Sequence, residues 1–249
     1  MKNKLKILAP FLLIALAVVL LAGGTVGNVR AALTYYSDNY DLDIEVPSIG
    51  VTLTENGRNA AGRNYLPDNR TDSGSSGLLS WAAGTDFRPG QYYDEKLAVT
   101  NTGNIDEYVK VEIYKYWTDA EGNKITELEP DQIEFQLGTG TGWYVDEAAS
   151  TAERTVLYYT LPLAPDERTT DLSEEILMAA DVLEKISETD VKNDANGRTF
   201  TVTYAYDGVR MCLDADVYAV QTHNAAQAIR SAWGKQVTVG GSGELTFAN

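Results

Sequence analysis

Residue types that could carry out nucleophilic or metal chemistry are scarce in this chain. His223 is the only histidine and Cys212 the only cysteine. A Ser-His-Asp or Cys-His system would have to use His223, and the His-Glu-x-x-His pattern of the common zinc proteases is absent from the sequence. A hydrogen-bonding role at a strand–helix junction accounts for His223. We therefore predict no catalytic residue, no metal ligand and no cofactor.

Acidic pairs are the second source of possible chemistry, since paired carboxylates can bind calcium or act as acid and base. The chain contains 36 acidic residues, so chance pairs are expected. None has the spacing of a calcium-binding loop, and we interpret them as a solvated acidic face. The pairs considered are Asp38, Asp41 and Asp43; Asp119 and Glu121; and Asp214 and Asp216, which alternation places on one strand face.

A single cysteine excludes an intramolecular disulfide, so the fold must rely on its core. Two interpretations of Cys212 remain open, an unreactive strand residue and a thiol that pairs between chains. No phosphate-binding glycine loop or nucleotide fingerprint is present. The glycines of Gly138–Gly142 lie between predicted strands and do not precede a helix.

The charge of the chain limits its partners. The full sequence has 20 basic and 36 acidic residues. Its first 32 residues hold Lys2, Lys4, Lys6 and Arg30 and no acid, so the remainder has 16 basic residues and a net charge of −20. Such a surface repels nucleic acid and anionic lipid. We therefore expect no nucleic-acid partner.

The N-terminus has the layout of a secretory signal peptide. Three lysines precede an apolar run from Ile7 to Ala22, and small residues follow at Ala31 and Ala32. We predict that residues 1–32 are a signal peptide, cleaved after Ala31 or Ala32, and that membrane contact occurs only through the uncleaved leader. The alternative is a retained anchor, for which the run is slightly short. Cleavage predicts a secreted protein.

The remaining residues, 33–249, are predicted to form one domain. Runs rich in Tyr, Val, Thr and Ile are punctuated by turn residues, and Tyr108 to Trp117 alternates between apolar and polar positions. We predict an all-β chain, an antiparallel β-sandwich of the jelly-roll type with one or two short helices. Residues 58–84 are predicted to be a polar surface loop.

Local patterns give three further predictions. A capping box at Asn224 opens a helix that runs to Trp233 and stops at Gly234. Ile176 to Ile186 has helical spacing, although Glu175 to Met178 could instead be a strand. The Asp207-Gly208 pair predicts a hairpin in which Val202 lies opposite Leu213 and Tyr204 opposite Met211. Leu213 and Ala215 would then face the core, and Cys212 and Asp214 the polar side.

Three segments together resemble the TasA/camelysin family of secreted Gram-positive proteins. Leu20–Thr25 resembles leaders processed by the SipW-type signal peptidase. Pro89-Gly90 with Asn101–Val111 looks like the family's "PG … NTG … YVRV" core, and Val220–Ala225 with Ser231–Gly234 is similar to the C-terminal signature of clostridial members. The chain differs from TasA itself in residues 58–84 and in its C-terminal helix signature.

The resemblance implies an extracellular jelly-roll protein that polymerises into biofilm matrix fibres. In TasA-like fibres the N-terminal strand of one subunit completes the sheet of the next, and here Leu33, Thr34, Tyr35 and Tyr36 would be the donor strand. The expected partners are further copies of the chain and, during export, a SipW-type signal peptidase. We expect a matrix or cell-surface protein that is not an enzyme. The alternatives are a camelysin-like metal-dependent protease and an adhesin that binds through residues 58–84.

Overall fold

The computed structural model describes residues 14–16, 18–19, 47–65, 72–73, 78–85, 87–138, 142–183, 186–194, 197–204 and 208–248. The internal contacts of the chain divide it into two units, residues 1–46 and 47–249. In the first unit, residues 14–16 and 18–19 are helical. No helix in the described ranges is long and apolar enough to cross a membrane. The predicted cleavage residues Ala31 and Ala32 and the donor strand Leu33–Tyr36 lie outside these ranges, so the signal peptide stays a prediction.

The second unit is built almost entirely from strands, as an all-β chain requires. The strands are β1 (Gly50–Glu55), β2 (Arg58–Asn64), β3 (Asp72–Ser73), β4 (Tyr92–Asp94), β5 (Leu97–Asn101), β6 (Glu107–Thr118), β7 (Lys124–Ile125), β8 (Ile133–Leu137), β9 (Trp143–Val145), β10 (Arg154–Tyr159), β11 (Ser173–Met178), β12 (Ile186–Asp194), β13 (Gly197–Tyr204), β14 (Arg210–Gln221), β15 (Val237–Val239) and β16 (Leu245–Phe247). One α-helix, α1, spans Ala225–Trp233, and 3-10 turns occupy Ser80–Ala82, Pro130–Gln132 and Ala180–Leu183.

All the strand pairs found in the described ranges are antiparallel. A four-stranded sheet has the order β3-β2-β1-β5, and a five-stranded sheet has the order β14-β6-β10-β9, with β7 also paired to β6. A three-stranded sheet has the order β4-β11-β8, and β12-β13 and β15-β16 are two-stranded ribbons. The prediction of an antiparallel all-β fold is confirmed, whereas the jelly-roll connectivity stays a prediction.

The main core lies between the four-stranded and five-stranded sheets, whose strands β1, β2 and β14 contact one another. Strand alternation sends one face of each strand inward. The inward side chains form a single buried cluster that includes Val51 and Leu53 of β1, Val99 of β5, and the following residues of β6 and β14: Val109, Val111, Ile113, Leu213, Ala215 and Val217. Removing this apolar surface from water is the principal stabilising contribution.

A second, smaller core covers the outer face of the five-stranded sheet. Ile229 of α1 and Leu245 of β16 pack on Tyr108 and Val220. The predicted helix over 225–233 is confirmed, and its predicted stop is confirmed as well, because Gly234 has φ 71° and donates its N–H to the Arg230 carbonyl at 3.1 Å. The predicted capping by the Asn224 side chain is wrong, because Asn224 has φ 53° and its side chain makes no capping hydrogen bond.

The predicted hairpin across Asp207-Gly208 is wrong. β14 pairs with β6 through twelve residue pairs, with Leu213 opposite Lys115, and β13 pairs with β12, with Val202 opposite Thr189. A pattern of period two specifies which face of a strand is buried but not which strand lies beside it. The predicted faces are accordingly confirmed: Leu213 is buried, and Cys212 is only half-buried.

Two other predictions are decided by the strand bounds. Arg58–Asn64 forms β2, which pairs with β1, so the predicted surface loop is wrong over its first seven residues. At residues 175–178 the strand alternative is confirmed, because β11 includes them. Packing of β11 between β4 and β8 overrides the local helical spacing.

We predict a stability ranking for three variants near the start of β14. Leu213→Asp places a charge in the core and should be the most destabilising. Gly208→Val puts a β-branched residue at φ 80° and should cost roughly 1–3 kcal/mol. Asp214→Asn is the matched control, since an amide oxygen can still accept the bond that the Tyr116 hydroxyl donates at 2.7 Å. Thermal melts that rank Asp214→Asn as the worst of the three would contradict the assigned faces.

Candidate functional site

The Asn101–Asn104 turn, which contributes to the family resemblance, is organised by one buried amide. The Asn101 side chain donates to the carbonyls of Ile105 at 2.8 Å and Leu163 at 2.9 Å. Its oxygen accepts the Gly103 N–H at 2.8 Å. All three hydrogen bonds therefore serve the shape of the turn, which indicates a structural role for Asn101.

The same turn fastens the beginning of β1. The Gly50 carbonyl accepts the N–H groups of Thr102 at 2.8 Å and Gly103 at 3.1 Å. Ser48 and Asn104 exchange two bonds, from Ser48 N to Asn104 Oδ1 at 2.6 Å and from Asn104 N to the Ser48 carbonyl at 3.1 Å. We call Ser48–Gly50 together with Asn101–Asn104 the entry anchor. It fixes the point at which the chain enters the sandwich.

Glu107 completes the entry anchor from the first position of β6. Its Oε1 accepts the Gly50 N–H at 2.8 Å, and the residue is 0% exposed. Burial raises the pKa of Glu107 to about 8, although the Gly50 hydrogen bond opposes this shift. Oε2 has no hydrogen-bond partner among the described residues. At neutral pH the side chain is therefore mostly a neutral carboxylic acid.

A second buried acid centre consists of Glu55, the last residue of β1, and Glu95, which follows β4; we call it the carboxyl pair. Glu55 accepts bonds from the Leu79 N–H and, at 3.0 Å, from the Ser80 hydroxyl. Glu95 Oε2 accepts the indole N–H of Trp81 at 2.6 Å. The carboxyl pair thus holds three consecutive residues of the 78–85 segment against two different sheets.

The electrostatics of the carboxyl pair favour one shared proton. Burial raises the pKa of Glu95 to about 8, the Trp81 hydrogen bond opposes this, and the neighbouring Glu55 raises the pKa further. Two nearby carboxyl groups cannot both ionise at low cost. An acid–base enzyme uses such pairs, but Glu55 and Glu95 are buried and do not line the groove described next. The arrangement therefore serves to hold the 78–85 segment.

A groove of about 680 Å³ lies beside the carboxyl pair. Its lining comes from four parts of the chain: the β1–β2 turn, the 78–85 segment, β4 with the residues after it, and the segment that follows Arg168. The lining residues are Asn56, Gly57, Trp81, Thr85, Tyr92, Tyr93, Asp94, Lys96, Arg168 and Asp171. A neighbouring hollow of about 660 Å³ shares Asp94, Lys96, Arg168 and Asp171 and continues to Glu174 and Glu175.

The residues that the sequence singled out for chemistry are not brought together. His223 is exposed, and its carbonyl accepts a bond from the Gln221 side chain at 3.2 Å. Cys212 is half-buried, with its Sγ 3.6 Å from Thr118 Oγ1. Across the ranges that the structure describes, no group of three or more His, Cys, Asp or Glu residues could hold a metal ion.

Asp214 and Asp216 lie on the same face of β14, as alternation predicts. Asp214 accepts the bond from the Tyr116 hydroxyl, and burial raises the pKa of Asp216. The sequence analysis missed Glu55, Glu95 and Glu107. Each adjoins a strongly buried strand run, and an acidic residue directly beside such a run is the signal that could have found them.

Comparisons of the chain with protein-family models, with curated proteins and with solved structures find no match. The class of protein is therefore described by its fold, an antiparallel all-β body. The functional argument has to come from its own anchor, carboxyl pair and groove.

Gly103→Ala should destabilise the body, because an added Cβ would collide with Glu107 Oε1 and with the Ser48 carbonyl. Overpacking of this kind costs roughly 1–3 kcal/mol. The matched control is Gly241→Ala, where no atom lies within 4 Å of the added Cβ. Urea denaturation measures both. Equal free energies of unfolding for the two variants would show that the entry anchor does not constrain Gly103.

Glu107→Gln should flatten the pH dependence of stability. Between the ordinary pKa of 4.5 and the folded pKa of about 8, ionisation favours the unfolded chain, so the free energy of unfolding falls as the pH rises. Below 4.5 both states are protonated and this loss is absent. Glutamine cannot ionise, so the fall between about pH 5 and about pH 9 should shrink by on the order of 1 kcal/mol or more.

The control for this prediction is Glu121→Gln in an exposed loop. Urea titrations at both pH values are compared for wild type and the two variants. If Glu107→Gln and wild type lose the same free energy of unfolding on going to the higher pH, the assignment of a buried, proton-holding Glu107 is wrong.

Proposed function

We propose that this chain is a secreted, non-enzymatic structural protein of the cell surface or extracellular matrix that self-associates by donating an N-terminal strand. The entry anchor carries the proposal. It ties Ser48–Gly50 into the sandwich, and the chain divides into separate contact units between Val46 and Pro47. A terminal segment that belongs to a unit of its own is what strand donation requires.

Protection of the long sheet edges also supports the proposal. The outer edge of β5 is bonded to the 166–172 segment, with Thr169 N to the Val99 carbonyl at 2.8 Å and Leu172 N to the Leu97 carbonyl at 2.8 Å. The outer edge of β14 receives Leu78 N on the Leu213 carbonyl at 2.9 Å. Covered edges prevent indiscriminate pairing, so a donated strand would have to use the shorter edge strands.

The charge distribution indicates how association would be controlled. Without residues 1–32 the chain has a net charge of −20, which opposes close packing of subunits. Salt and divalent cations screen this repulsion and should promote assembly. Export through a SipW-type signal peptidase, with cleavage at Ala31 or Ala32, would release the donor strand Leu33–Tyr36.

The adhesin alternative has one specific observation in its favour. The groove is lined partly by Trp81, from the end of the predicted 58–84 loop, and by Thr85 next to that loop, and polar and aromatic groups converge there. The same domain could therefore bind an outside partner as well as further copies of itself.

The test compares three forms of the protein by electron microscopy and light scattering over a range of salt and calcium concentrations. The form beginning at Ala32 should assemble. A form beginning at Asp38 should not, and Thr34→Pro in the full-length mature chain is the matched control, because proline removes a backbone donor without shortening the segment. Thr34→Pro should also fail to assemble.

Identical fibres from all three forms would rule out the N-terminal strand as the connector. If none associates under any condition, the binding function replaces the fibre function. A chelator-sensitive protease activity that disappears in His223→Ala would instead support the camelysin-like alternative.

A further inference from the structure

The groove has a rigid aromatic wall. Tyr93 stacks between Trp81, with ring centroids 5.4 Å apart, and Phe87, with ring centroids 4.5 Å apart. The Arg88 N–H donates to the Tyr93 hydroxyl at 2.8 Å, and Glu95 fixes the Trp81 indole. Because these rings are already held in place, a ligand that packs against them loses little of its affinity to the ordering of side chains.

Tyr92 supplies an exposed aromatic side chain beside this wall. It is 42% exposed and lines the groove together with Tyr93. Its hydroxyl donates to Glu134 Oε2 on β8 at 3.1 Å, which anchors the tip of the side chain while the ring remains accessible. An accessible, positioned ring is suited to a ligand with apolar C–H faces.

The polar groups of the groove are balanced in charge although the protein is strongly acidic. Asp94 and Asp171 are matched by Lys96 and Arg168, and Arg168 pairs with Asp171 at 2.6 Å. The whole chain has a net charge of −16. A site for a cation would add to the acidic excess, and a site for an anion would need a basic excess. A locally neutral site favours an uncharged ligand.

The β1–β2 turn holds a planar amide at one end of the groove. Asn56 Nδ2 donates to the Asp94 carbonyl at 3.0 Å, and Asn56 Oδ1 accepts the Lys96 N–H at 2.9 Å. Next to it, Gly57 has no atom within 4 Å of an added Cβ, so the groove is open there. Donors and acceptors of several kinds therefore lie beside the aromatic wall, as ligands rich in hydroxyl groups require.

We propose that this groove binds a neutral oligosaccharide. Sugar rings combine apolar C–H faces, which pack on aromatic rings, with hydroxyl groups that both donate and accept hydrogen bonds. The first hollow and its continuation past Asp94 each have the size of a small-ligand site, so the ligand would span several sugar units. The inference concerns the groove and is independent of self-association.

The test uses the mature protein on an array of neutral, acidic and basic oligosaccharides, followed by calorimetric titration with the neutral oligosaccharide that binds best. Tyr92→Ala removes the exposed ring and should weaken binding about tenfold or more. Tyr92→Phe is the matched control, because it keeps the ring and loses only the bond to Glu134, and its affinity should stay within about twofold of wild type. Thermal melts establish that both variants fold.

Three results would overturn the proposal. The first is no binding to any neutral oligosaccharide on the array. The second is preferential binding of uronic-acid or amino-sugar oligomers. The third is binding of a synthetic peptide of residues 32–46 that Tyr92→Ala abolishes, without oligosaccharide binding, which would assign the groove to an extended peptide. Fibre formation is measured separately, so loss of one function does not obscure the other.

Discussion

The rest of the structure depends on the burial of both faces and both edges of β6. One edge pairs with β14 through twelve residue pairs and the other with β10. The inner face contributes to the main core, while Tyr108 on the outer face belongs to the C-terminal core. At its first residue, Glu107 binds the beginning of β1. A strand that is constrained in four directions fixes the register of everything attached to it, which is why the anchor, both cores and the five-stranded sheet all meet there.

Buried carboxyl groups have a consistent role in this acidic protein. Glu55, Glu95 and Glu107 each accept hydrogen bonds from a segment that has no ladder partner of its own at that point, namely the 78–85 segment or the entry anchor. Desolvation disfavours the ionised form, so burial stabilises the protonated form of Glu95 and of Glu107. The same groups that hold these segments in place therefore make the fold better suited to acidic than to alkaline surroundings.

The sequence predicted local features well and long-range features poorly, for a physical reason. The helix at Ala225–Trp233 and the buried face of β14 follow from nearby residues, and both predictions are confirmed. The pairing of Leu213 with Lys115 involves residues about a hundred positions apart, and any strand with the same alternation would have satisfied the pattern. The groove is harder still, because Asn56, Trp81, Tyr92 and Arg168 become neighbours only after three sheets have formed. No spacing in the sequence reports that convergence.

The carboxyl pair physically connects the groove to the sandwich. Trp81 lines the groove and bonds Glu95, the adjacent Ser80 bonds Glu55, and Leu78 at the start of the same segment bonds the outer edge of β14. The segment that shapes the groove is therefore also the one that covers a long sheet edge. A rearrangement of this segment would alter the binding surface and expose backbone groups of β14 together. Binding and edge protection consequently favour the same conformation, in which the 78–85 segment lies closed on both glutamates.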